Sequence, residues 1–381
     1  MRLEAEWLHH AGTVALCTAL EQAGYQALFV GGCVRNGLIG ADVQDIDIAT
    51  DARPEKVIEL SHAANLRPIP TGIEHGTITV IAQSRPLEVT TFRRDIETDG
   101  RRAVVAFADG IEEDAKRRDF TMNALYAGRD GEVLDPTGQG LDDLQARRLR
   151  FIGLPEDRIR EDYLRILRFF RFHAWYADPQ GGFDADGLAA CAALSSGLET
   201  LSRERVGSEI KKLLAASDPS MAVAAMEQTG VLSRTLAGAS ARLLPILVHL
   251  ETDTPIDPIR RLAAIASAEQ ASALRLSRAE AKHLTILRKG MESDTGAGEL
   301  GYRHGFDFAR DIILLRAALF EAELEPAAIE AARSGAAAQF PVRAADLDAQ
   351  FEGPALGAEL ARLEGLWIGS GFKLSKAELL A

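Results

Sequence analysis

The sequence predicts an α+β protein, with an α/β unit first and an all-helical remainder. Three observations carry this. Between Ala27 and Ala127, short runs rich in β-branched and aromatic residues are separated by glycine turns. From about Arg158 to Ala381 the pattern changes to Leu, Ala and Arg at helical spacing, and strand signals become sparse. The chain, at 381 residues, is also longer than one hydrophobic core usually supports, so two or more packed units are expected.

Composition bounds the class. With 47% hydrophobic and 26% charged residues the chain reads as globular. No apolar run reaches the roughly 18 residues that span a membrane. The opening Met1-Arg2-Leu3-Glu4-Ala5-Glu6 lacks the basic start and apolar core of a signal peptide, so a cytoplasmic protein without a membrane partner is expected. Cys17, Cys33 and Cys191 form no CxxC pair, which argues against a zinc knuckle and against a disulfide framework. The net charge of −13 is unfavourable for binding a polyanion as a whole. Yet from Arg147 to Arg171 eight arginines face four acids, a basic neck inside an acidic chain.

The elements follow in order. An amphipathic helix opens the chain, then Leu28-Phe29-Val30 predicts a strand, Gly31-Gly32 a tight turn and Cys33 to Gly40 a short helix. Asp45-Ile46-Asp47-Ile48 predicts the next strand. Residues i and i+2 of a strand share a face, so both carboxylates point to one side. Such a pair suits Mg²⁺, which takes few carboxylates and completes its octahedron with water and phosphate oxygens. An isolated DxD is more often a solvated edge strand. Here it lies ten residues after the Arg of Gly31-Gly32-Cys33-Val34-Arg35, where glycine lets backbone N–H groups approach a triphosphate and Arg35 adds a charged fork. Thr77 to Ile81 and Leu87 to Phe92 predict two more strands, the second carrying Glu88 as a possible extra carboxylate at the same face.

Gly-Gly-x-Val-Arg followed by Asp-x-Asp resembles the class II branch of the polymerase-β-like nucleotidyltransferases, the family of CCA-adding enzymes and poly(A) polymerases. The family usually has Asp where this chain has Asn36. Arg117-Arg118-Asp119-Phe120-Thr121-Met122-Asn123-Ala124-Leu125 matches the family's second motif, which implies that Arg118 contacts the nucleotide. Asp99-Gly100-Arg101-Arg102 corresponds to the flexible-loop signature, placing Asp99, Arg101 and Arg102 in a loop that assists the change from CTP to ATP. The resemblance implies a polymerase-β-like head with a mixed sheet over 1–142, a helical neck over 143–214 and a tRNA-binding helical body and tail over 215–381. By position it gives nucleotide-binding roles to Gly32, Arg35, Asp162, Arg165, Arg168 and Arg171.

The segment Glu161 to Phe172 is the most informative. Read as one helix, it turns Tyr163, Ile166, Leu167 and Phe170 to the core and Asp162, Arg165 and Arg168 to the other side, with Arg171 at the edge. A carboxylate only accepts hydrogen bonds and a guanidinium only donates them. Cytosine and adenine each offer an amino donor beside a ring-nitrogen acceptor, so both complement an Asp/Arg pair. Uracil and guanine present the opposite polarity and leave buried groups unpaired, a discrimination worth about 10⁴ or more. The pair selects C and A without a nucleic-acid template, but it cannot tell C from A.

The expected activity is therefore template-independent addition of C, C and A to tRNA from CTP and ATP, with Mg²⁺ held by Asp45 and Asp47 and with no DNA partner. A poly(A) polymerase or a CC-only or A-only enzyme of the same family is the nearest alternative. The Thr71 to Thr77 loop and the DGRR element count against the first of these. The joint presence of Asp45, Asp47, Arg118, Asp162 and Arg165 argues against a tRNA-binding protein without catalysis.

Overall fold

The computed structural model describes every residue except 100, 101, 348–350 and 352. Two compact units emerge: Met1–Glu209 with Gln228–Thr235, and Ile210–Glu227 with Leu236–Ala381. Residues 1–142 and most of 143–214 thus share the first unit.

That unit is built on a mixed sheet. Its strands are β1 (Leu28–Val30), β2 (Asp47–Thr50), β3 (Arg67–Gly72), β4 (Thr77–Ala82) and β5 (Arg85–Thr91). A separate hairpin of β6 (Arg93–Asp99) and β7 (Arg102–Phe107) follows, and then β8 (Tyr126–Ala127) and β9 (Val133–Leu134) return to the sheet. Its order is β3-β4-β5-β2-β1-β8-β9. Only β2 and β5 pair in parallel; the other neighbours are antiparallel.

Strand alternation divides the two faces. Phe29, Ile48, Ile78, Val80, Ala82, Leu87 and Val89 are buried, and helices α1 (Ala11–Gln22) and α3 (Pro54–Ala63) pack on β4. Gly12 makes the approach of α1 possible, since a Cβ there would meet Ala82 Cβ at 2.7 Å. The alternate residues Asp47, Thr77, Thr79, Glu88 and Thr90 are left half-buried or exposed. Between β4 and β5 the chain reverses in two residues, Gln83 and Ser84, both at positive φ (50° and 68°), with Ala82 paired to Arg85. Positive φ at both central positions is the backbone of a type I′ hairpin, whose twist matches that of the strands.

The helices that bear on the site are α2 (Gly32–Ile39), α4 (Ile111–Lys116), α5 (Gly140–Gln145), α6 (Pro155–Glu161) and α7 (Leu164–Tyr176). The first strands lie where the sequence predicts them. The structure adds β3, β6 to β9, and a break in the segment 161–172. The helix α6 stops at Glu161, and Asp162 is extended (φ −156°, ψ 105°). Its carboxylate then caps the next helix, Oδ1 accepting from Leu164 N at 3.1 Å. The physical reason is that Asp competes with helical hydrogen bonding and favours a helix start. Leu164, Ile166, Leu167, Phe169, Phe170 and Phe172 on α7 are buried. Asp45 likewise stands outside regular structure, two residues before β2 begins at Asp47.

The second unit is all-helical among its described residues. Its core contains a fully buried charge network. Arg260 and Arg261, 0% and 2% exposed, share Glu251 through Nε contacts of 2.6 and 2.8 Å to its two oxygens. Arg260 Nη1 also donates to Asp311 at 2.8 Å, and Arg261 donates to the carbonyls of Leu214 and Ser217. Every charge is opposed and hydrogen-bonded, as a buried ion needs to be.

Candidate active site

The candidate site lies on the open sheet face of the first unit. Asp47 at the head of β2 pairs in register with Glu88 of β5, and Glu88 with Thr79 of β4, so the three stand in a row across the sheet. Burial, the charge of Glu88 and the charge of Asp45 push the Asp47 carboxyl up to about 6, against the lowering pull of Arg118. Like charges this crowded are relieved by a cation, and hard carboxylate oxygens are what a hard divalent ion prefers. The residues present therefore fit the Mg²⁺ that the sequence implies.

Next to this row, β1 passes into α2 through Gly31, whose φ of 74° and ψ of −123° suit only glycine. Its N–H is held by the Leu125 carbonyl at 3.1 Å. A Cβ at Gly31 would stand 3.4 Å from Arg118 Nη1, so the second motif lies directly beside the turn. Arg118 is fixed by Asp114 Oδ2 (Nη2 3.0 Å, Nε 3.3 Å) and by the Tyr126 hydroxyl at 3.2 Å. Asp114 also takes the Arg117 guanidinium at 2.7 Å and the Tyr126 hydroxyl at 2.6 Å. Although burial alone would raise its pKa, Arg118 and Arg117 hold the Asp114 carboxyl far below the usual range.

Arg35 is 5% exposed and each of its three nitrogens donates inside the protein. It donates to Asn36 Oδ1, Asn123 Oδ1 and the Tyr176 hydroxyl. Its guanidinium stacks 3.9 Å from the Tyr176 ring centroid. Gly32 lies beside it, where a Cβ would be 3.8 Å from Arg35 Nη2.

The neck residues are likewise engaged. Asp162 Oδ2 accepts from Arg205 Nη2 at 2.5 Å. Arg165 pairs with Glu161 and donates to the carbonyls of Arg158 and Arg117, each at 2.9 Å. Arg168 grips Asp119, with Nε 2.8 Å from Oδ2, and Arg171 Nε lies 2.6 Å from Glu209 Oε2. The structure thus gives Asp162 and Arg165 separate partners, not the mutual bridge that one helix would allow. Of the loop residues, Asp99 and Arg102 face each other in the β6/β7 ladder, and Arg101 lies outside the described residues.

Asp114, Tyr126 and Tyr176 are contributors that sequence reasoning missed. Asp114 precedes Arg118 by four residues, the spacing of a helical ion pair, and was legible in principle. Tyr176 carries no such signal. A different acidic group, Asp257, His283 and Asp311, lies in the second unit. Both carboxylates there serve the fold: Asp257 caps the helix Pro258–Ile265, and Asp311 binds Arg260 and Arg310.

A carboxylate row on an open sheet, a glycine turn and an adjacent fixed arginine define a nucleotidyltransferase head. Residues 27–150 match the poly A polymerase head domain, and residues 183–241 match the segment described as a probable RNA and SrmB-binding site of polymerase A. Mouse mitochondrial CCA tRNA nucleotidyltransferase 1 is 32% identical over 398 residues, covering 99% of this chain and 91% of that protein. The chain belongs to the family of CCA tRNA nucleotidyltransferases. Its human counterpart is 40% identical over 212 residues, 55% of this chain and 49% of the relative, so that match spans about half the length of the human protein. Among solved structures, the Bacillus stearothermophilus CCA-adding enzyme in complex with CTP is similar at a TM-score of 0.77 and 27% identity, covering 94% of this chain and 92% of that one. Nucleotidyltransferases of this family generally use divalent metal ions.

Proposed function

We propose that this protein is a CCA-adding enzyme that extends the tRNA 3′ end from CTP and ATP and releases pyrophosphate. The observation that carries this is the Asp47–Glu88 row, with Asp45 beside it, next to a glycine turn that Arg118 faces. When bound, Mg²⁺ supplies activation of the 3′-hydroxyl and charge relief at the leaving pyrophosphate; Asp45 and Asp47 hold it. Arg118, locked through Asp114 and Tyr126, turns Nη1 toward the Gly31 turn, where it neutralises phosphate charge without reorganising. Asp162 and Arg165 read the base edge in place of their present partners Arg205 and Glu161, and Arg168 and Arg171, which the same motif makes nucleotide-binding, also hold α7 through Asp119 and Glu209. The relatives' names and the CTP complex of the bacterial structure support the substrate assignment.

The functional divisions proposed are a head over 1–142, a neck over 143–214 and a tRNA-binding body and tail over 215–381, with the DGRR segment of Asp99, Arg101 and Arg102 assisting the change from CTP to ATP. The cytoplasm is the proposed compartment. Among the described residues no helix is long and apolar enough to cross a membrane.

The decisive assay gives purified protein a tRNA lacking CCA together with CTP and ATP. Addition of three nucleotides is expected. A long A-tract without C would identify a poly(A) polymerase instead. Arg165→Ala should admit UTP and GTP at least tenfold more readily, and an unchanged nucleotide preference would remove the Asp/Arg template from the account.

A further inference from the structure

Asn36 follows Arg35 in the glycine-turn motif and stands where the family usually has Asp. Its side chain is fixed from both ends. Oδ1 accepts from Arg35 Nε at 3.0 Å and Nη2 at 2.8 Å, while Nδ2 donates to the Asp42 carbonyl at 2.7 Å. The amide orientation is forced, because a guanidinium only donates and a backbone carbonyl only accepts. The Asn36 backbone carbonyl also takes the N–H groups of Gly40 and Ala41.

These bonds act on the segment that carries the metal pair. From Ala41 to Ile46 the chain has no regular structure. Its far end is tied where Glu88 N donates to Ile46 O at 3.0 Å, and its near end is tied at Asp42 by the Asn36 amide. Asp45 lies exposed between the two ties. Through Oδ1, Asn36 also leans on Arg35, which α7 clamps by stacking with Phe172 and Tyr176 and by the 2.8 Å bond to the Tyr176 hydroxyl. Aspartate at position 36 would still receive Arg35, but it would set a carboxylate oxygen against the Asp42 carbonyl, two acceptors with no proton between them.

We propose that Asn36 is a positioning residue for Asp45: its amide N–H anchors the Ala41–Ile46 segment to a head framework braced by Tyr176 of α7, fixing where the Asp45 carboxylate is presented. The inference rests on the reading that Asp45 and Asp47 hold the metal. It assigns this chain a side-chain donor that the usual aspartate cannot provide.

The test uses the full chain and two variants, Asn36→Asp, which keeps the Arg35 acceptor and removes only the donor, and Asn36→Ala, which removes both and serves if the first does not fold. Two quantities are read: incorporation of C into a tRNA lacking CCA as Mg²⁺ is titrated, and amide hydrogen exchange of residues 41–46 without metal or nucleotide. The expected result is a half-saturating Mg²⁺ concentration raised by roughly three- to tenfold, about the worth of one hydrogen bond. KM for CTP should stay within about twofold at saturating Mg²⁺, and exchange in 41–46 should quicken in both variants. An Asn36→Asp variant with wild-type Mg²⁺ dependence overturns the proposal, whether or not exchange quickens, because the tie would then not serve Asp45. Asp45→Asn is measured alongside: if it keeps the wild-type Mg²⁺ dependence, the metal assignment fails, while the exchange arm still reports on the Asn36 tie.

Discussion

The protein uses ion-paired arginines in two opposite ways. In the second unit Arg260 and Arg261 are closed in on every side, with Glu251, Asp311 and backbone carbonyls consuming their donors. In the first, Arg118 is held along one edge by Asp114 and Tyr126 and turns Nη1 to the glycine turn, with its side chain 20% exposed. Arg168 is 31% exposed while its partner Asp119 is 8% exposed. A closed network holds helices together and has nothing left to offer a ligand. A network open on one side costs some stability but presents a charge that is already oriented. The contrast separates framework from chemistry without reference to any substrate.

The largest effect that would break the comparison is Glu251→Ala. It leaves the buried Arg261 without a carboxylate and Arg260 with Asp311 alone, and should destabilise the second unit by about 3–5 kcal/mol. Chemical denaturation followed by a reporter in that unit measures it; a loss under about 1 kcal/mol would mean the network is wetter than its burial implies.

Asp47→Asn should act in the opposite direction. Because the folded pKa of Asp47 is raised to about 6, its contribution is fully favourable below the unfolded value and is lost as pH rises through about 6. The metal-free variant should therefore be more stable than the parent by about 1–2 kcal/mol at pH 7.5. The gain should vanish near pH 4, while nucleotide incorporation is abolished. Thermal melting across that range decides it, and a variant no more stable at pH 7.5 would show that the carboxylates do not crowd each other.

The smallest effect sharpens the comparison. Arg168→Ala frees Asp119, whose carboxyl is held low by Arg168 and Asn123 against the raising effect of its burial. That stability is present above the unfolded carboxyl pKa and is lost as pH falls through the folded one. The parent should exceed the variant by about 1 kcal/mol at pH 7, and the difference should shrink on acidification. Equal acid melting curves would remove Arg168 as the support of Asp119.

How much was legible follows from the physics of each part. The Gly31 turn and the Asp45/Asp47 spacing could be read from local chemistry, and the RRD segment from its resemblance to the family's second motif. The face shared by Asp47 and Glu88 depends on a parallel pairing between strands some forty residues apart, and alternation alone could only allow for it. The break at Asp162 was hidden because the apolar stripe of α7 continues the helical period across it; the capping bond to Leu164, a local preference of Asp, interrupts the helix. Arg35 read as a triphosphate ligand, yet Tyr176, 141 residues away, takes one of its donors, and no spacing rule announces a contact at that distance. Strand β6 escaped because five of its seven residues are charged and dilute its β signal.

The two-residue reversal at Gln83–Ser84 has a consequence for how this gene can vary. It works as a parity counter: an even step keeps Glu88 on the side of Asp47 and sends Leu87 and Val89 beneath the helices. Inserting one residue there would leave every strand with a plausible partner and the same composition, yet it would exchange the two sides of β5 and drive a carboxylate into the packing of α1 and α3. Substitution in this turn is a matter of conformational preference, whereas a change of length by an odd number rewrites the chemistry of the sheet.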